Sequence, residues 1–393
     1  MYNNNNTCLD MNAELWRNRR DWSTQSFTIF IFVFFYAAII LIGIVGNLCV
    51  ILAISRTRTL QTVPNMFIFS LSCSDLVVCF TSATITPIAA FKKEWIFGAV
   101  LCSVAPFIAG ASLCFSTFTL SAISVDRFLL IYFPTRKALS RLQALIVIMV
   151  ICMLSTSLSA PVMFKQRLKR FGNYCGHFCT EEWGIDQSGR RVYGSIMLSV
   201  QFIVPLVIIT FCYTAISFKL GKGILQRNRR QRNEYQLGMT DQQRAAIKRR
   251  QRTNRMLIGM VVAFSASWFF SVLFNVLRDY DCLPKWCQNQ EYFFGIATHC
   301  IAMSSTVWNP LLYAALNLQL RAAFFRLLPE CVRQPEMQKS ATYNCKPLPQ
   351  SGSALRNDLT KNKILNCDHR KSCDLLAVYK AVNRYESFEV DDI

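Results

Sequence analysis

The chain has 393 residues, of which 52% are hydrophobic and 17% are charged, and its formal net charge at pH 7 is +20. Soluble globular chains carry about 25% charged residues. The apolar residues here are gathered into blocks long enough to cross a hydrocarbon core of about 30 Å. The composition therefore excludes an ordinary soluble domain, and the basic segment 227–255 lies between two such blocks, which argues against nucleic-acid binding.

Seven apolar blocks are predicted to be membrane-spanning helices, because backbone polar groups in lipid must be satisfied within their own segment. They cover residues 27–54, 65–91, 99–132, 143–164, 193–219, 255–279 and 291–316. An amphipathic helix over 318–328 is predicted to lie on the inner membrane surface and to end at Pro329. The predicted fold class is an all-α membrane protein, a seven-transmembrane helix bundle over 27–328 with a short eighth helix.

The two ends of the chain lie outside this bundle. Residues 1–26 contain no apolar run, so no cleaved signal is predicted and the first block must act as the insertion signal. Within this N-terminus, Asn5-Asn6-Thr7 is a glycosylation sequon with Asn5 as the acceptor. Residues 329–393 are polar and predict a disordered cytoplasmic tail. Cys331 in this tail is a candidate for palmitoylation.

The positive charges predict the orientation. With the N-terminus placed outside, the outer segments hold 13 Lys and Arg residues and the inner segments hold 29. The positive-inside rule then favours a multi-pass plasma-membrane protein whose N-terminus is extracellular. Thr240 and Gln243 form a predicted capping box in the third inner loop, which indicates a helix that begins at about 241 and continues into the sixth block.

Polar residues inside the blocks indicate function. Asp75 lies in the middle of the second block, and Asn47 and Asn309 lie in the first and seventh. An ionisable group at mid-bilayer costs roughly 2.5–3.5 kcal/mol, so it normally has a partner or a task. Asp126 and Arg127 end the third block.

The ordered set of motifs resembles the rhodopsin-like G-protein-coupled receptor family over residues 27–328. The matching residues are Gly46-Asn47, Leu71-Ser72-Cys73-Ser74-Asp75-Leu76, Trp95, Phe97, Gly98, Cys102, Asp126-Arg127-Phe128, Pro134, Pro205, Tyr213, Phe264, Trp268 and Asn309-Pro310-Leu311-Leu312-Tyr313. Two departures from the family concern its sixth and fourth helices. In the sixth helix, Phe270 stands where the family usually has a proline, which puts the kink of that helix in doubt. In the fourth helix, the family's usual tryptophan is absent, and Ile151 stands at that position, ten residues before Pro161.

The resemblance implies roles for these residues. Asp75, Ser116 and Asn309 are expected to form a polar cavity that holds a sodium ion, with water alone as the alternative. Phe264 and Trp268 are expected to pass ligand contact to the sixth helix, with plain core packing as the alternative. The residues expected to serve G-protein coupling and activation are Asp126, Arg127, Phe128, Tyr213, Asn309, Pro310 and Tyr313.

Three further stretches are similar to the neuropeptide Y and neuropeptide F receptors. They are 116–120, Cys179-Thr180-Glu181-Glu182-Trp183 and 299–306. The resemblance implies a disulfide between Cys102 and Cys179. A biogenic amine ligand is not expected, because Ala109 stands where amine receptors have an aspartate. A photoreceptor is not expected, because Met303 stands where opsins have the lysine that binds retinal.

The implied ligand is a short peptide that ends in Arg-Phe-amide or Arg-Tyr-amide. Asp279 is expected to pair with the peptide arginine, and Glu181 and Glu182 add acidity. The residues expected to receive the aromatic amide are Thr86, Asn275 and His299. The alternatives are that Asp279 is a solvated loop acid and that His299 makes a satisfied helix–helix hydrogen bond.

Four outer cysteines are not assigned by the resemblance. Cys282 and Cys287 are spaced closely enough to pair with each other, but free thiols or pairing with Cys8 or Cys175 stay open.

The expected partners are an extracellular amidated neuropeptide, a heterotrimeric G protein of the inhibitory type, and arrestin and receptor kinases at the tail. No cofactor is expected apart from the sodium ion. A tachykinin-like or orphan peptide receptor is the alternative function. A transporter or channel would show paired charges near the midplane and related halves, and an enzyme would show a metal-ligand cluster or a nucleophile–base pair; the sequence contains neither pattern.

Overall fold

A computed structural model describes residues 8–133, 135, 137–184, 188–233 and 241–327, with the backbone alone described at 220–233, 241–250 and 327. Its residues 8–132 and 138–327 form one compact unit. Three other described residues, Phe133, Thr135 and Lys137, belong to a second unit.

The first unit is built from helices and one hairpin. The helices are α1 Met11–Arg19, α2 Ser26–Arg56, α3 Val63–Phe80, α4 Ser82–Lys92, α5 Gly98–Tyr132, α6 Arg141–Lys165, α7 Ser188–Leu198, α8 Val204–Asn233, α9 Asp241–Asp279, α10 Lys285–Asn289, α11 Glu291–Met303, α12 Ser305–Leu316 and α13 Leu318–Leu327. Strands β1 Gln166–Lys169 and β2 Phe178–Glu181 pair antiparallel, with Leu168 opposite Cys179.

Among the described residues, six stretches are long and apolar enough to cross a bilayer: α2, α3 with α4, α5, α6, α7 running into α8 as far as Lys219, and α9 from Gln251. The seventh predicted block forms α11 and α12, which are separated at Ser304 and are 13 and 12 residues long. The predicted all-α fold class is confirmed, with the hairpin as an addition outside the apolar blocks.

Local chemistry explains where these helices are interrupted. The hydroxyls of Thr81 and Thr84 donate to the carbonyls of Val77 and Cys79, which competes with the helical ladder between α3 and α4. A π-helical turn, Ser199–Ile203, lies just before Pro205, because proline cannot donate to the carbonyl four residues earlier.

Pro310 lies inside α12 and likewise removes one backbone hydrogen bond from that helix. The carbonyl of Thr306 cannot receive a helical hydrogen bond from Pro310. The Asn47 side-chain amide donates to it instead, at 2.9 Å. The Gly46 position lies against the Pro310 ring, where an added methyl group would be 2.8 Å from its carbon atoms.

The helices pack around one large apolar core. Its fully buried members include Val50, Leu71, Ile216, Met260 and Tyr313. Around it α5 packs on α6 and α8, α2 packs on α3 and α12, and α9 packs on α11 and α12. Large side chains on the opposite faces stay exposed, for example Phe30, Phe34 and Val207, which is the pattern of helices that face lipid.

Two predicted helices on the inner side are confirmed. Helix α9 begins at Asp241 and runs without a break through Phe270 to Asp279, and Thr240 lies outside the described residues. Helix α13 begins after Asn317, whose side-chain oxygen accepts from the backbone N–H groups of Gln319 and Leu320. Pro329, Cys331, Asn5 and the tail lie outside the described residues.

The close approach of Gly46 to Pro310 predicts that Gly46→Ala destabilises the bundle. The rigid ring cannot move aside, so α2 and α12 must separate, at a cost of about 1–3 kcal/mol. The measurement is the apparent melting temperature of the purified protein in detergent. Gly295→Ala is the matched control, because its added methyl group would be 3.6 Å from Phe274; an equal loss in both variants would contradict the prediction.

Candidate functional site

A cavity of about 680 Å³ lies at the end of the bundle that carries α1, the hairpin and α10, here called the outer end. It is lined by α1, α4, α9 and α11, together with Tyr36 of α2 and Tyr174 before β2. Its lining residues are Met11, Glu14, Leu15, Asn18, Arg19, Tyr36, Thr86, Pro87, Ala90, Tyr174, Ser271, Phe274, Asn275, Arg278, Glu291, Tyr292, Gly295, Ile296, Thr298 and His299. The volume lies within the range of small-ligand sites.

Helix α1 forms one wall of this cavity, which the sequence did not predict. Asp10 caps the helix by accepting from the N–H of Asn12. A disulfide between Cys8 and Cys175 and backbone hydrogen bonds of Leu9 with Asn173 and Cys175 join the segment to the loop before β2. The N-terminal segment is thus held against the outer end rather than hanging free from it.

The segment after α1 is fixed by a buried polar cluster. The Asp21 carboxylate accepts from the N–H groups of Ser23, at 2.8 Å, and Tyr292, at 3.1 Å. The Lys93 ammonium donates to the Ser23 hydroxyl at 2.7 Å and lies 4.2 Å from the centre of the Tyr292 ring. Burial lowers the pKa of Lys93 to about 8, and the charge of Asp21 opposes that shift.

Three predicted ligand residues lie in the cavity wall: Thr86, Asn275 and His299. Thr86 and Asn275 are exposed to it. Both ring nitrogens of His299 have partners, because Nδ1 lies 2.8 Å from the Tyr36 hydroxyl and Nε2 lies 3.3 Å from the Ser82 hydroxyl. His299 therefore links α2, α4 and α11, so its imidazole contributes a helix–helix hydrogen bond as well as part of the wall.

Asp279 does not line the cavity. Its carboxylate lies 3.0 Å from the Arg190 guanidinium and 3.7 Å from that of Arg278. The Arg191 guanidinium also donates to its backbone carbonyl. Asp279 is therefore an ion-pair partner of this chain's own arginines, and its predicted role toward a peptide arginine stays a prediction.

The other two predicted acids also have partners of their own. Glu181 accepts from the Trp183 indole at 3.0 Å and from Gln166 at 3.2 Å, and it lies 3.7 Å from Arg190. Glu182 accepts from the Lys169 ammonium at 2.7 Å, which holds the pKa of Glu182 below its usual range. Neither acid lines the outer cavity.

The predicted disulfide between Cys102 and Cys179 is present and fixes β2 to α5. The open question about the other four outer cysteines has a definite outcome. Cys8 pairs with Cys175, and Cys282 and Cys287 are free thiols, exposed and buried respectively.

The polar residues predicted for the middle of the bundle lie close together. Asn309 donates to the Asp75 carboxylate at 2.8 Å, and both side chains are buried. Asp75 and Ser116 line a small cavity of about 20 Å³ together with Phe264 and Trp268. The Trp268 indole donates to the Ser305 hydroxyl at 3.2 Å, which connects α9 to α12. The predicted pair Phe264 and Trp268 therefore lines the small cavity and not the outer one.

Four of the predicted activation residues lie together at the opposite, inner end: Asp126, Arg127, Phe128 and Tyr213. Asn309 and Pro310 lie instead beside Asp75 and Gly46. The Arg127 guanidinium lies 3.4 Å from the Asp126 carboxylate. Tyr213 lies close to Ser124 and Arg127. Phe128 stacks on Tyr132 with ring centres 4.7 Å apart.

Tyr313 completes this inner group. It is fully buried in the same core cluster as Tyr213, and within the described part of the chain its hydroxyl has no hydrogen-bond partner. Its hydroxyl is therefore a buried polar atom still available for a new partner.

Comparison with known proteins gives a family match over residues 46–313, to the 7 transmembrane receptors of the rhodopsin family. The neuropeptide receptor npr-1 of Caenorhabditis elegans is 30% identical over 339 residues, 78% of this chain and 74% of that protein. Neuropeptide Y receptor type 6 of Oryctolagus cuniculus is 29% identical over 84% of this chain and 88% of that receptor. The neuropeptide F receptor of Drosophila melanogaster is 30% identical over 75% of this chain and 62% of that receptor.

The cysteine arrangement predicts a specific labelling pattern. Alkylation of the unreduced protein, followed by proteolysis and mass spectrometry, is expected to give linked peptides for Cys8 with Cys175 and for Cys102 with Cys179. Cys282 is expected to carry the label, because it is exposed and unpaired. A reduced sample is the control, and a peptide that links Cys282 to Cys287 would contradict the arrangement.

Proposed function

The chain belongs to the rhodopsin family of seven-transmembrane receptors, and on that premise we propose that it is a neuropeptide receptor for a short peptide ending in Arg-Phe-amide or Arg-Tyr-amide. The predicted family is confirmed. The prediction that the chain is not an enzyme is confirmed as well, because its matched relatives are receptors. The relatives named above are receptors for neuropeptides, which supports the ligand class.

The observation that carries the ligand proposal is the charge pattern of the outer cavity. Its charged lining residues are Glu14, Arg19, Arg278 and Glu291. Glu291 begins α11, whereas His299 lies eight residues further along the same helix, about 12 Å deeper at 1.5 Å per residue. Arg278 likewise lies about 10 Å from Ser271 along α9. The charges therefore lie near the mouth.

The deeper lining is polar but uncharged. It offers Thr86, Ser271, Asn275 and Thr298, with the Tyr36–His299 pair beside them. A terminal carboxamide can donate and accept hydrogen bonds there without bringing a charge into the bundle, whereas a carboxylate would be desolvated without a cation. An aromatic amide end fits this floor, and a basic residue before it would reach the charged mouth.

We propose that ligand binding activates a heterotrimeric G protein of the inhibitory type at the inner end. The support is the Asp126–Arg127 ion pair, with Tyr213 close to the guanidinium and Tyr313 in the same apolar core as Tyr213. Separation of that pair would free the guanidinium to face the G protein.

The chain is a membrane protein, and its placement in the plasma membrane with the N-terminus outside is part of the proposal. The excess of Lys and Arg in the inner segments supports it. Arrestin and receptor kinases are proposed partners of the tail. Asn5 is a proposed glycosylation site, and Cys331 is a proposed palmitoylation site. Asn5, Cys331 and the tail lie outside the described residues.

The ligand proposal predicts that a synthetic peptide ending in Leu-Arg-Phe-amide activates the receptor in a cell-based G-protein reporter. The same peptide with a free C-terminal carboxylate is expected to lose at least about tenfold in potency, because the floor offers no cation. Arg127→Ala is the control for receptor-dependent signal and is expected to abolish the response while surface expression persists. Equal potency of the amide and the acid would contradict the proposal, and activation by a tachykinin-like peptide alone would favour the alternative ligand.

We also propose that the small cavity beside Asp75 holds a sodium ion. A hard cation takes oxygen ligands, and Asp75, Ser116 and Asn309 offer a carboxylate, a hydroxyl and an amide in this region. A volume of about 20 Å³ suits one water-sized species. The ion would favour the inactive bundle by stabilising the Asp75 charge.

The sodium proposal predicts that replacing N-methylglucamine chloride with sodium chloride lowers agonist affinity in membranes at constant ionic strength. Asp75→Asn is expected to remove most of that sodium effect, because it deletes the charge and keeps the side-chain shape. Glu182→Gln is the control, since it removes an outer carboxylate far along the chain from the cavity. A sodium effect that persists in Asp75→Asn would rule out the site.

A further inference from the structure

The N-terminal helix α1 adds a carboxylate to the ligand cavity at a position the sequence motifs do not indicate. Glu14 lies in the first turn of α1 and lines the cavity. Its only hydrogen bond among the described residues is with a neutral partner, because the Asn18 amide donates to it at 2.6 Å. Within that part of the chain no cation lies within ion-pair distance of Glu14.

The charges around Glu14 sum to a negative value. Glu291, which lines the same cavity, lies 3.8 Å from Arg19, and the side chains of this pair are 39% and 50% exposed. A long and exposed ion pair of this kind is weak. Glu14, Glu291 and Arg19 together carry one net negative charge on this side of the mouth, and Arg278, the fourth charged lining residue, lies 3.7 Å from Asp279.

Asp279, by contrast, already has two cations of this chain beside it. Arg190 and Arg278 both lie within 3.7 Å of its carboxylate. With Glu181, which lies 3.7 Å from Arg190, these four groups carry no net charge. A peptide guanidinium that approached Asp279 would have to displace Arg190 and would meet Arg278. Electrostatic attraction at the mouth therefore favours the Glu14 side of the cavity.

Helix α1 is held firmly enough for Glu14 to act as a fixed contact. The disulfide of Cys8 holds its start, and the Asp21 cluster with Lys93 holds its end. The Trp22 N–H also donates to the Gln290 side chain at 2.8 Å, and that side chain donates to the Arg20 carbonyl. The position of the carboxylate is thus set at both ends of the helix before a ligand arrives.

We infer that the arginine of the peptide ligand is received by Glu14 of the N-terminal helix, with Glu291 as the second carboxylate, and not by Asp279. The inference rests on the proposed function, since it names the residue that recognises the basic side chain of that ligand. A guanidinium can donate to two carboxylate oxygens at once. Within the described part of the chain, one carboxylate oxygen of Glu14 has no hydrogen bond. The peptide guanidinium would also give Glu291 a closer cation than Arg19, which lies 3.8 Å away.

The test compares two synthetic peptides on three receptor variants. One peptide ends in Leu-Arg-Phe-amide, and the other carries citrulline, a neutral isostere, in place of the arginine. The variants are Glu14→Gln, Asp279→Asn and, as a matched control, Asp281→Asn, because Asp281 is an outer carboxylate that lies 3.1 Å from Arg191 and does not line the cavity. Potency in the G-protein reporter is measured at equal surface expression.

Glu14→Gln is expected to lower the potency of the arginine peptide about 10- to 100-fold, the loss expected when a charge-assisted hydrogen bond is removed. It is expected to leave the potency of the citrulline peptide unchanged, because that peptide has no charge to lose. Asp281→Asn is expected to change neither potency. Asp279→Asn is expected to affect both peptides alike if at all.

Two results would overturn the inference while leaving the proposed function intact. One is a wild-type response to the arginine peptide that Glu14→Gln does not reduce. The other is an equal loss for both peptides in Glu14→Gln, which would mean that the substitution disturbs α1 rather than a contact with arginine. A wild-type receptor that does not respond to the arginine peptide would overturn the proposed function itself, and the inference with it.

Discussion

The bundle depends on how the carbonyl of Thr306 is satisfied. Pro310 has no N–H to donate to it, and an unsatisfied carbonyl inside lipid costs several kcal/mol. The Asn47 amide fills that position at 2.9 Å, and Gly46 lets α2 approach the proline ring closely enough for it to do so. One helix therefore supplies the hydrogen bond that another helix lacks. The two spans are joined at the point where the seventh span is weakest, and the rest of the packing follows from their contact.

Side-chain hydrogen bonds between different helices also follow one another from the outer cavity towards the inner end. The Tyr36–His299–Ser82 contacts lie beside the cavity, the Trp268–Ser305 hydrogen bond lies beneath it, and Asn309 donates to Asp75 deeper still. Each contact joins two different helices, and buried polar groups in an apolar surrounding have few alternative partners. A ligand that shifts α9 relative to α11 and α12 would exchange these partners rather than deform the bundle gradually. Under the proposed function, such an exchange of partners is how a contact at the outer end would reach the Asp126–Arg127 pair.

The outer end follows a different principle, because it is assembled by cross-links and charges rather than by lipid. Two disulfides fix the loop that contains the hairpin, one to α5 and one to the segment before α1. Ion pairs then distribute the outer carboxylates among this chain's own arginines and lysines. Asp279, Glu181 and Glu182 are taken up in this way, whereas Glu14 is left facing the cavity with a neutral partner. The distribution of partners, and not the number of acids, decides where a cationic ligand is attracted.

The sequence by itself determined the apolar blocks, because local composition displays them directly. Its motifs indicated the family, and the resemblance to that family implied the Cys102–Cys179 disulfide and the Asp75–Asn309 neighbourhood. Only the tertiary structure decided that residues 11–19 form a helical wall, that Cys8 pairs with Cys175, and that Asp279 already has a cation. Each of these depends on which distant segments meet, across 167 residues in the case of the disulfide. A short polar helix carries no hydrophobic period that reveals its partner, and a carboxylate in a sequence does not show which arginine will lie beside it in the fold.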